Sequence, residues 1–405
     1  MSTKSPNRTA LLLLAAIGTI TPLAIDLYLP ALPTISTLLD VPMQRIESSV
    51  STYMIGLAIG VLIGATVSDR FGRKPSVTGG LILFVVCSIG VGLTTNPDVF
   101  LALRVVQAFG GGFAFVNIPA IVRDLYDEQD SARAFTMITI LALIAPLIAP
   151  TIGAAIMTLV HWRAIFFFLA AYGATLCALV AIYLPETSPA DPARRELGIL
   201  TQVRANVRRV FSKPEAVALV FCQSFVFAVM FSFVADASFV YMVHFGLSAW
   251  HFSVLFAANI FTLMAFNRAN KRLLVNRRPF EIVYLGIAVQ VLSTVGLVVV
   301  TLLGFARLEL FVPLMMLAVG AHAMITPNLT ATFMARFEHG AGTASGVITG
   351  AQYLMAGLVS VLAAVVHDGT LRTTVLTMMI SAFIGWGGFL LARTRRNERL
   401  AAEPA

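Results

Sequence analysis

Charge is scarce in this sequence. Only 12% of its 405 residues are Asp, Glu, Lys or Arg, against about 25% in a soluble domain. With 58% hydrophobic residues and a mean hydropathy of +0.87, the chain would expose far too much apolar surface to water, which excludes a soluble fold. Cysteine is scarcer still. Cys87, Cys177 and Cys222 each sit inside an apolar run and no CxxC pair exists, so a disulfide framework or a structural metal is not expected. The six histidines, at 161, 244, 251, 322, 339 and 367, are scattered without a nucleophile beside them. Nothing here resembles a catalytic constellation, a metal set or a cofactor site, so the chain does not read as an enzyme. Its net charge of +8 comes from short loops between apolar runs, without interleaved aromatics, which argues against nucleic acid as a partner.

What is abundant is long apolar stretches. A helix needs about 20 apolar residues to cross the hydrocarbon core of a bilayer, and twelve such stretches can be counted. The first six cover 9–35, 46–67, 76–95, 98–122, 134–160 and 163–184. The second six cover 215–242, 249–267, 280–303, 308–333, 341–366 and 371–392. The first run is too long for a signal-peptide core and lacks a cleavage site, so it reads as a retained helix. The longest polar stretch separates the sixth span from the seventh. The expected organisation is therefore all-α: a six-helix bundle over 1–185, a cytoplasmic linker over 186–213 and a second six-helix bundle over 214–405.

Basic residues orient the spans. Placing the N-terminus inside puts most of the 28 Lys and Arg residues on the cytoplasmic side, in the segments 70–74, 194–213, 268–278 and 393–399 among others. Arg45, Arg163, Arg307 and Arg372 fall outside, and Arg104 lies within a span. Both termini are then cytoplasmic.

Asp26 stands between Pro22 and Pro30 in the first span, TITPLAIDLYLPALPTI, with Tyr28 two residues on. An ionisable group at bilayer depth costs roughly 2.5–3.5 kcal/mol on insertion scales, so such a residue is a candidate for proton or cation binding. Arg104 and Gln107 occupy the fourth span, in LRVVQAFGGG. Arginine does not discharge at neutral pH and needs an acceptor or water. Asp26 lies roughly 25 Å from the inner end of its span and Arg104 roughly 9 Å from the outer end of its own, which places both in the outer half. Arg104 either shares the environment of Asp26 or snorkels outward.

The loop after the second span reads Asp69-Arg70-Phe-Gly72-Arg73-Lys74. Gly72 suits a tight turn, and the three cations can pair with Asp69. This D-R-x-G-R-K spacing, between spans two and three of twelve, resembles the loop signature of the major facilitator superfamily. Arg104 and Gln107 resemble that family's fourth-helix pattern R-x-x-Q-G, with Ala108 in place of the glycine. The resemblance implies two six-helix bundles and a gate in which Asp69 meets the start of the eleventh helix, from Gly340 to Ser345. The fifth span, with Pro146, Pro150 and Gly153, is similar to the fifth-helix motif of drug:proton antiporters, departing from it at two glycines. PLAIDLYLPALPTI, ASFVYMVHFGLS, AGTASGVITGAQ, VRDLY and WRAIF resemble the Bcr/CflA group of drug exporters.

Asp236, near the end of the seventh span, is either a solvated carboxylate at the outer interface or a second acid facing a cavity, because span seven is the repeat counterpart of span one. Asn117, Gln223 and Gln352 are further cavity candidates, with Tyr28 and Gln107. The expected function is a proton-coupled multidrug exporter working by alternating access, with Asp26 and Arg104 handling the proton. Burial and a nearby arginine act in opposite directions on a carboxyl's proton affinity. The implied partners are small amphipathic antibiotics, protons and the lipid bilayer of a bacterial inner membrane, with the monomer as functional unit. The alternative is a proton-coupled symporter or exporter of a small polar metabolite.

Overall fold

A computed structural model describes residues 8–188, 198–337 and 341–402. Among the described residues the chain is helical, with no strand. In the N-terminal half the helices are α1 (Arg8–Gly18), α2 (Ile20–Asp26), α3 (Leu32–Leu38), α4 (Met43–Phe71), α5 (Arg73–Leu93), α6 (Pro97–Val116), α7 (Ile118–Leu125), α8 (Glu128–Leu159) and α9 (Trp162–Tyr183). Then come α10 (Ile199–Phe211), α11 (Pro214–Ser238), α12 (Ala249–Leu273), α13 (Pro279–Leu302), α14 (Leu308–Gly320), α15 (His322–Met334), α16 (Ala341–Val365) and α17 (Leu371–Ala402).

Twelve spans among the described residues are long and apolar enough to cross a membrane. They agree with the expected spans to within a few residues at most ends. Their surfaces suit lipid: Leu93, Leu159, Leu292 and Leu362 stand mostly exposed, an arrangement that water would penalise and hydrocarbon does not.

Several spans are interrupted, two of them beside proline. The first span runs from Arg8 to Leu38 but is built from α1, α2, a 3₁₀ turn at Leu29–Ala31 and α3. Pro30 and Pro33 occupy the opening positions of the last two pieces, where their missing N–H groups matter least. The fourth span divides at Asn117, with Pro119 opening α7. By contrast α8 continues through Pro146 and Pro150. Each proline there removes one i→i−4 bond, freeing the carbonyls of Ala142 and Pro146. The seventh span ends in a π turn over Phe239–His244.

Contacts divide the chain into two units. One comprises Met1–Arg204 with Ala249–Ser253; the other comprises Ala205–Ser248 and Val254–Ala405. In the first, α4 and α6 lie close, with Gly56 and Gly60 against the carbonyls of Val105 and Phe109, the small-residue packing that membrane helices use. The core of the second gathers Leu219, Cys222, Ile287, Phe333, Ile348 and Phe389 from α11, α13, α15, α16 and α17.

One departure lies in the expected linker. Residues 199–211 form a helix in which Ile199, Val203, Val207 and Val210 recur at helical spacing, with Arg204, Arg208 and Arg209 between them. Val210 is buried in the second unit's core. The stretch is therefore an amphipathic helix anchored at its end, not merely a polar connection.

Candidate functional site

Asp26 is the last residue of α2, where the first span breaks. Its side chain is only 5% exposed, and among the described residues its carboxylate forms no hydrogen bond or ion pair. The neighbouring peptide is tightly held. Gly153 of α8 lies directly against the carbonyl of Leu27, so that a Cβ at position 153 would collide with that oxygen. The glycine of the antiporter-like helix thus abuts the residue following the acid. Pro150 and Pro146 lie on the same helix, about one and two turns earlier.

Arg104 is fully buried, and Asp26 is not its partner. One guanidinium nitrogen donates to Gln107 Oε1 at 2.6 Å and another to the carbonyl of Ala24 at 3.0 Å. That carbonyl belongs to the last turn of α2, where helix acceptors lack intrahelical donors. The guanidinium carbon also lies 4.3 Å from the Tyr28 ring centre, 4.4 Å from that of Tyr53 and 5.8 Å from that of Phe166. Three aromatic faces therefore offset the desolvation of the cation. Among the described residues its Nε has no hydrogen-bond partner. Gln107 passes the network on, donating to Ser88 Oγ at 2.6 Å, and the Tyr28 hydroxyl meets Ser49 Oγ at 2.9 Å. Asp26 and Arg104 are linked through backbone: the arginine grips the peptide two residues before the acid.

Asn117, at the division of the fourth span, donates to Phe113 O at 2.6 Å and Ser76 Oγ at 3.2 Å. Among the described residues its buried Oδ1 has no hydrogen-bond partner.

The loop motif forms a dense charged cluster in the first unit. Arg73 pairs with Asp69 at 2.5 Å and with Asp124 at 3.6 Å, and it donates to Ser68 Oγ at 3.0 Å. Glu186 accepts from the backbone N–H groups of Arg73 and Lys74 at 2.9 and 3.2 Å, which places a carboxylate on the N-terminus of α5, where the helix dipole favours it. Lys74 Nζ donates to Ala181 O at 2.8 Å, and Thr187 to Asp124 at 3.0 Å. Arg70 lies over the Phe71 ring. Gly72 turns with φ +105°, and a Cβ there would meet Glu186 Oε2 at 2.7 Å. Of the gate partner read at Gly340–Ser345, Gly340 lies outside the described residues.

In the second unit Gln223 donates to Gln352 Oε1 at 2.8 Å and accepts from Thr330 at 3.0 Å. Beside this network Phe227 packs within 5.4 Å of His322 and 5.6 Å of Tyr353. Asp236 is half-buried and accepts from the hydroxyl of Thr374 at 2.7 Å. Near the linker Arg336 pairs with Glu215 at 2.8 Å, while Lys213 donates to the carbonyl of Arg336 at 2.6 Å.

Sequence reasoning missed Glu186, Glu215, Arg336, Tyr53 and Phe166. The acids are legible only as loop charges, and the aromatics look like ordinary span residues. Among the described residues no three His, Cys, Asp or Glu side chains gather as a metal set.

Comparison with known proteins agrees with this architecture. The chain is similar to a bicyclomycin resistance protein homolog of Haemophilus influenzae, with 29% identity over 373 residues, 91% of this chain and 92% of that protein. It is 34% identical over 172 residues to the multidrug resistance protein MdtL of Escherichia coli, covering 42% of this chain and 44% of that one. Among solved structures, a D-xylose-proton symporter superposes with a TM-score of 0.73 at 16% identity, covering 94% of this chain and 98% of that one. A peptide transporter, POT, does so at 0.73 and 13%, covering 98% and 95%. Identities this low speak to the fold alone. Residues 14–360 match the family model of the Major Facilitator Superfamily, and with most of its length inside that match the chain belongs to this superfamily.

Proposed function

We propose that this chain is a proton-coupled exporter of small amphipathic antibiotics, a drug:proton antiporter of the bacterial inner membrane. In this reading the helices before and after the linker form two bundles, over 1–185 and 214–405, that alternate access around a midplane cavity. Both termini are cytoplasmic and the monomer is the working unit. The observation that carries the reading is Asp26: a buried carboxylate at a helix break, with no cation paired to it among the described residues. A carboxylate held by a permanent ion pair would have little reason to take up a proton; one without a partner can exchange a proton for a drug. Each ligand then favours a different state of the two bundles, which is the thermodynamic requirement for coupling. Arg104 is the positioning residue, holding the Ala24 carbonyl and hence the break. The names of the similar bicyclomycin and multidrug resistance proteins support drugs as the substrate class.

The test is pH-gradient-driven drug uptake into everted vesicles by the parent and Asp26→Asn. Loss of gradient-dependent uptake with protein levels unchanged is the expected result. Undiminished pH-driven transport by Asp26→Asn would remove the assignment.

A second reading, a proton-coupled transporter of a small polar metabolite, is favoured by one observation: the Gln223–Gln352–Thr330 network offers amide and hydroxyl groups suited to a polar solute. Reconstituted counterflow under an imposed proton gradient separates the two readings. Import of a polar solute with the gradient supports the second, and expulsion of drug against it supports the first.

A further inference from the structure

We propose that Asp236 and His367 form a second proton-binding site, contained within the second unit and separate from Asp26. Three segments build it at the end of α11 distal to the linker. Asp236 comes from the last turn of α11, and the Thr374 hydroxyl of α17 donates to its Oδ2 at 2.7 Å. His367 comes from the turn between α16 and α17, and its ring stands edge-on to Phe239 at 4.7 Å, with an interplanar angle of 87°. Phe239 in turn donates its N–H to the carbonyl of Asp236. Phe239 thus joins the two residues, its backbone bonded to Asp236 and its ring packed on the imidazole. In this proposal the acid and the imidazole take up a proton as a pair, not as two independent groups.

The backbone around the pair is irregular in a telling way. Directly after Asp236 the α-helix widens into the π turn Phe239–His244, a feature that recurs at functional sites. The first span is also irregular past its acid: it and the seventh are both 31 residues long, the first breaking at Leu27 directly after Asp26 and the seventh widening at Phe239, three residues after Asp236. Internal repeats place binding groups at corresponding positions of the two halves. Asp236 is therefore the positional counterpart of Asp26, differing in having an imidazole and a hydroxyl for company.

The histidine's own bonds say where a proton goes. His367 Nδ1 accepts from the N–H of Gly369 at 3.0 Å, so the proton of the neutral ring sits on Nε2. A further proton on Nδ1 breaks the bond to Gly369 and loosens the turn that Gly369 makes at φ +77°. A proton taken instead by Asp236 leaves that turn intact. Other charged groups nearby do not duplicate the pair. Asp368 is exposed, and the Thr370 hydroxyl holds its carboxyl below the usual carboxylate range. His244 on the π turn, Arg372 at the start of α17 and Arg307 and Glu309 at the start of α14 are exposed. His322 on α15 is engaged with Thr326, and α16 carries no charged side chain.

The test is pH-induced infrared difference spectroscopy on the full-length protein in lipid nanodiscs, following the protonated-carboxyl bands. One band is expected to vanish in Asp236→Asn and to persist in Asp26→Asn. In His367→Gln the same band should persist but titrate at a pH displaced by about one unit, a roughly tenfold change in proton affinity. An Asp236→Asn spectrum identical to the parent overturns the site. An unmoved titration in His367→Gln overturns the pair. If Asp236→Asn does not fold, the His367→Gln arm decides alone, since it alters only a turn residue. The spectrum requires no transport, so this site and the efflux reading stand or fall separately.

Discussion

Arg104 is a permanent cation with no carboxylate paired to it among the described residues, and its burial is made tolerable by two hydrogen-bond acceptors and three aromatic faces. Hydrogen bonds to a charged group contribute about 1.5–3 kcal/mol each. Lysine keeps the charge but loses the planar fork that reaches Gln107 and Ala24 at once. Arg104→Lys is therefore expected to insert and to lose roughly tenfold in efflux rate, with about 1.5–3 kcal/mol lower stability. Drug uptake into vesicles and thermal unfolding in detergent check the two parts. Equal activity would mean that the positive charge suffices and the arginine's planar geometry is dispensable. At this scale the sequence was informative about charges and silent about their company. Asp26, Arg104 and Asp69 stand out because ionisable groups in or beside apolar spans are rare and expensive. Tyr53, Phe166 and Ser88 complete the Arg104 site but are chemically ordinary span residues, which no spacing rule separates from lipid-facing filler.

Among the helices, α8 shows what a glycine can decide. Gly153 lets α8 touch the Leu27 carbonyl beside the break in the first span. A methyl group there must push the two segments apart, and overpacking of this kind costs about 1–3 kcal/mol. Gly153→Ala is expected to lower the melting temperature and to impair efflux. Gly346→Ala on α16 should do neither, because a Cβ there meets nothing within 4 Å. Fluorescence-detected thermal stability with parallel efflux assays compares them. A Gly153→Ala protein as stable and active as Gly346→Ala would show that close approach to be unimportant. At the N-terminus of α5, Glu186 accepts two backbone N–H groups. Glu186→Ala removes that cap at a cost of about 0.5–2 kcal/mol, read as earlier hydrogen exchange at Arg73 and Lys74. Unchanged exchange there would show that water serves as well. The sequence could indicate Gly153 as a motif position but not what it touches, since contact between spans one and five is a tertiary fact. It also hid α10: three arginines in one turn and a half read as polar linker, while the valines behind them keep helical period.

For the whole molecule, the apolar spans were legible because bilayer thickness sets helix length, and interruption within a span was not, because prolines continue in α8 and break the first span. Where the first span does break, Arg104 satisfies the carbonyl of Ala24 at the helix end, a tertiary contact of the kind that lets a membrane helix be interrupted. Orientation rests on the loop cations alone. Counted over short loops, Lys and Arg collect on the side that the positive-inside rule assigns to the cytoplasm. That bias predicts the accessibility of single cysteines in a protein with Cys87, Cys177 and Cys222 replaced. Thr95→Cys, between α5 and α6, and Gly304→Cys, between α13 and α14, should react with a membrane-impermeant maleimide in cells with an intact inner membrane. Asp127→Cys, between α7 and α8, and Asn276→Cys, between α12 and α13, should react only in everted vesicles. The reverse pattern would invert the molecule. It would place Asp26 in the cytoplasmic half of its span, put the Asp69–Arg73–Asp124 cluster outside, and turn the Asp236–His367 pair toward the cytoplasm. On the proposed drug:proton exchange, protons would then have to reach Asp26 from the wrong side, so the labelling pattern tests that proposal as well as the topology.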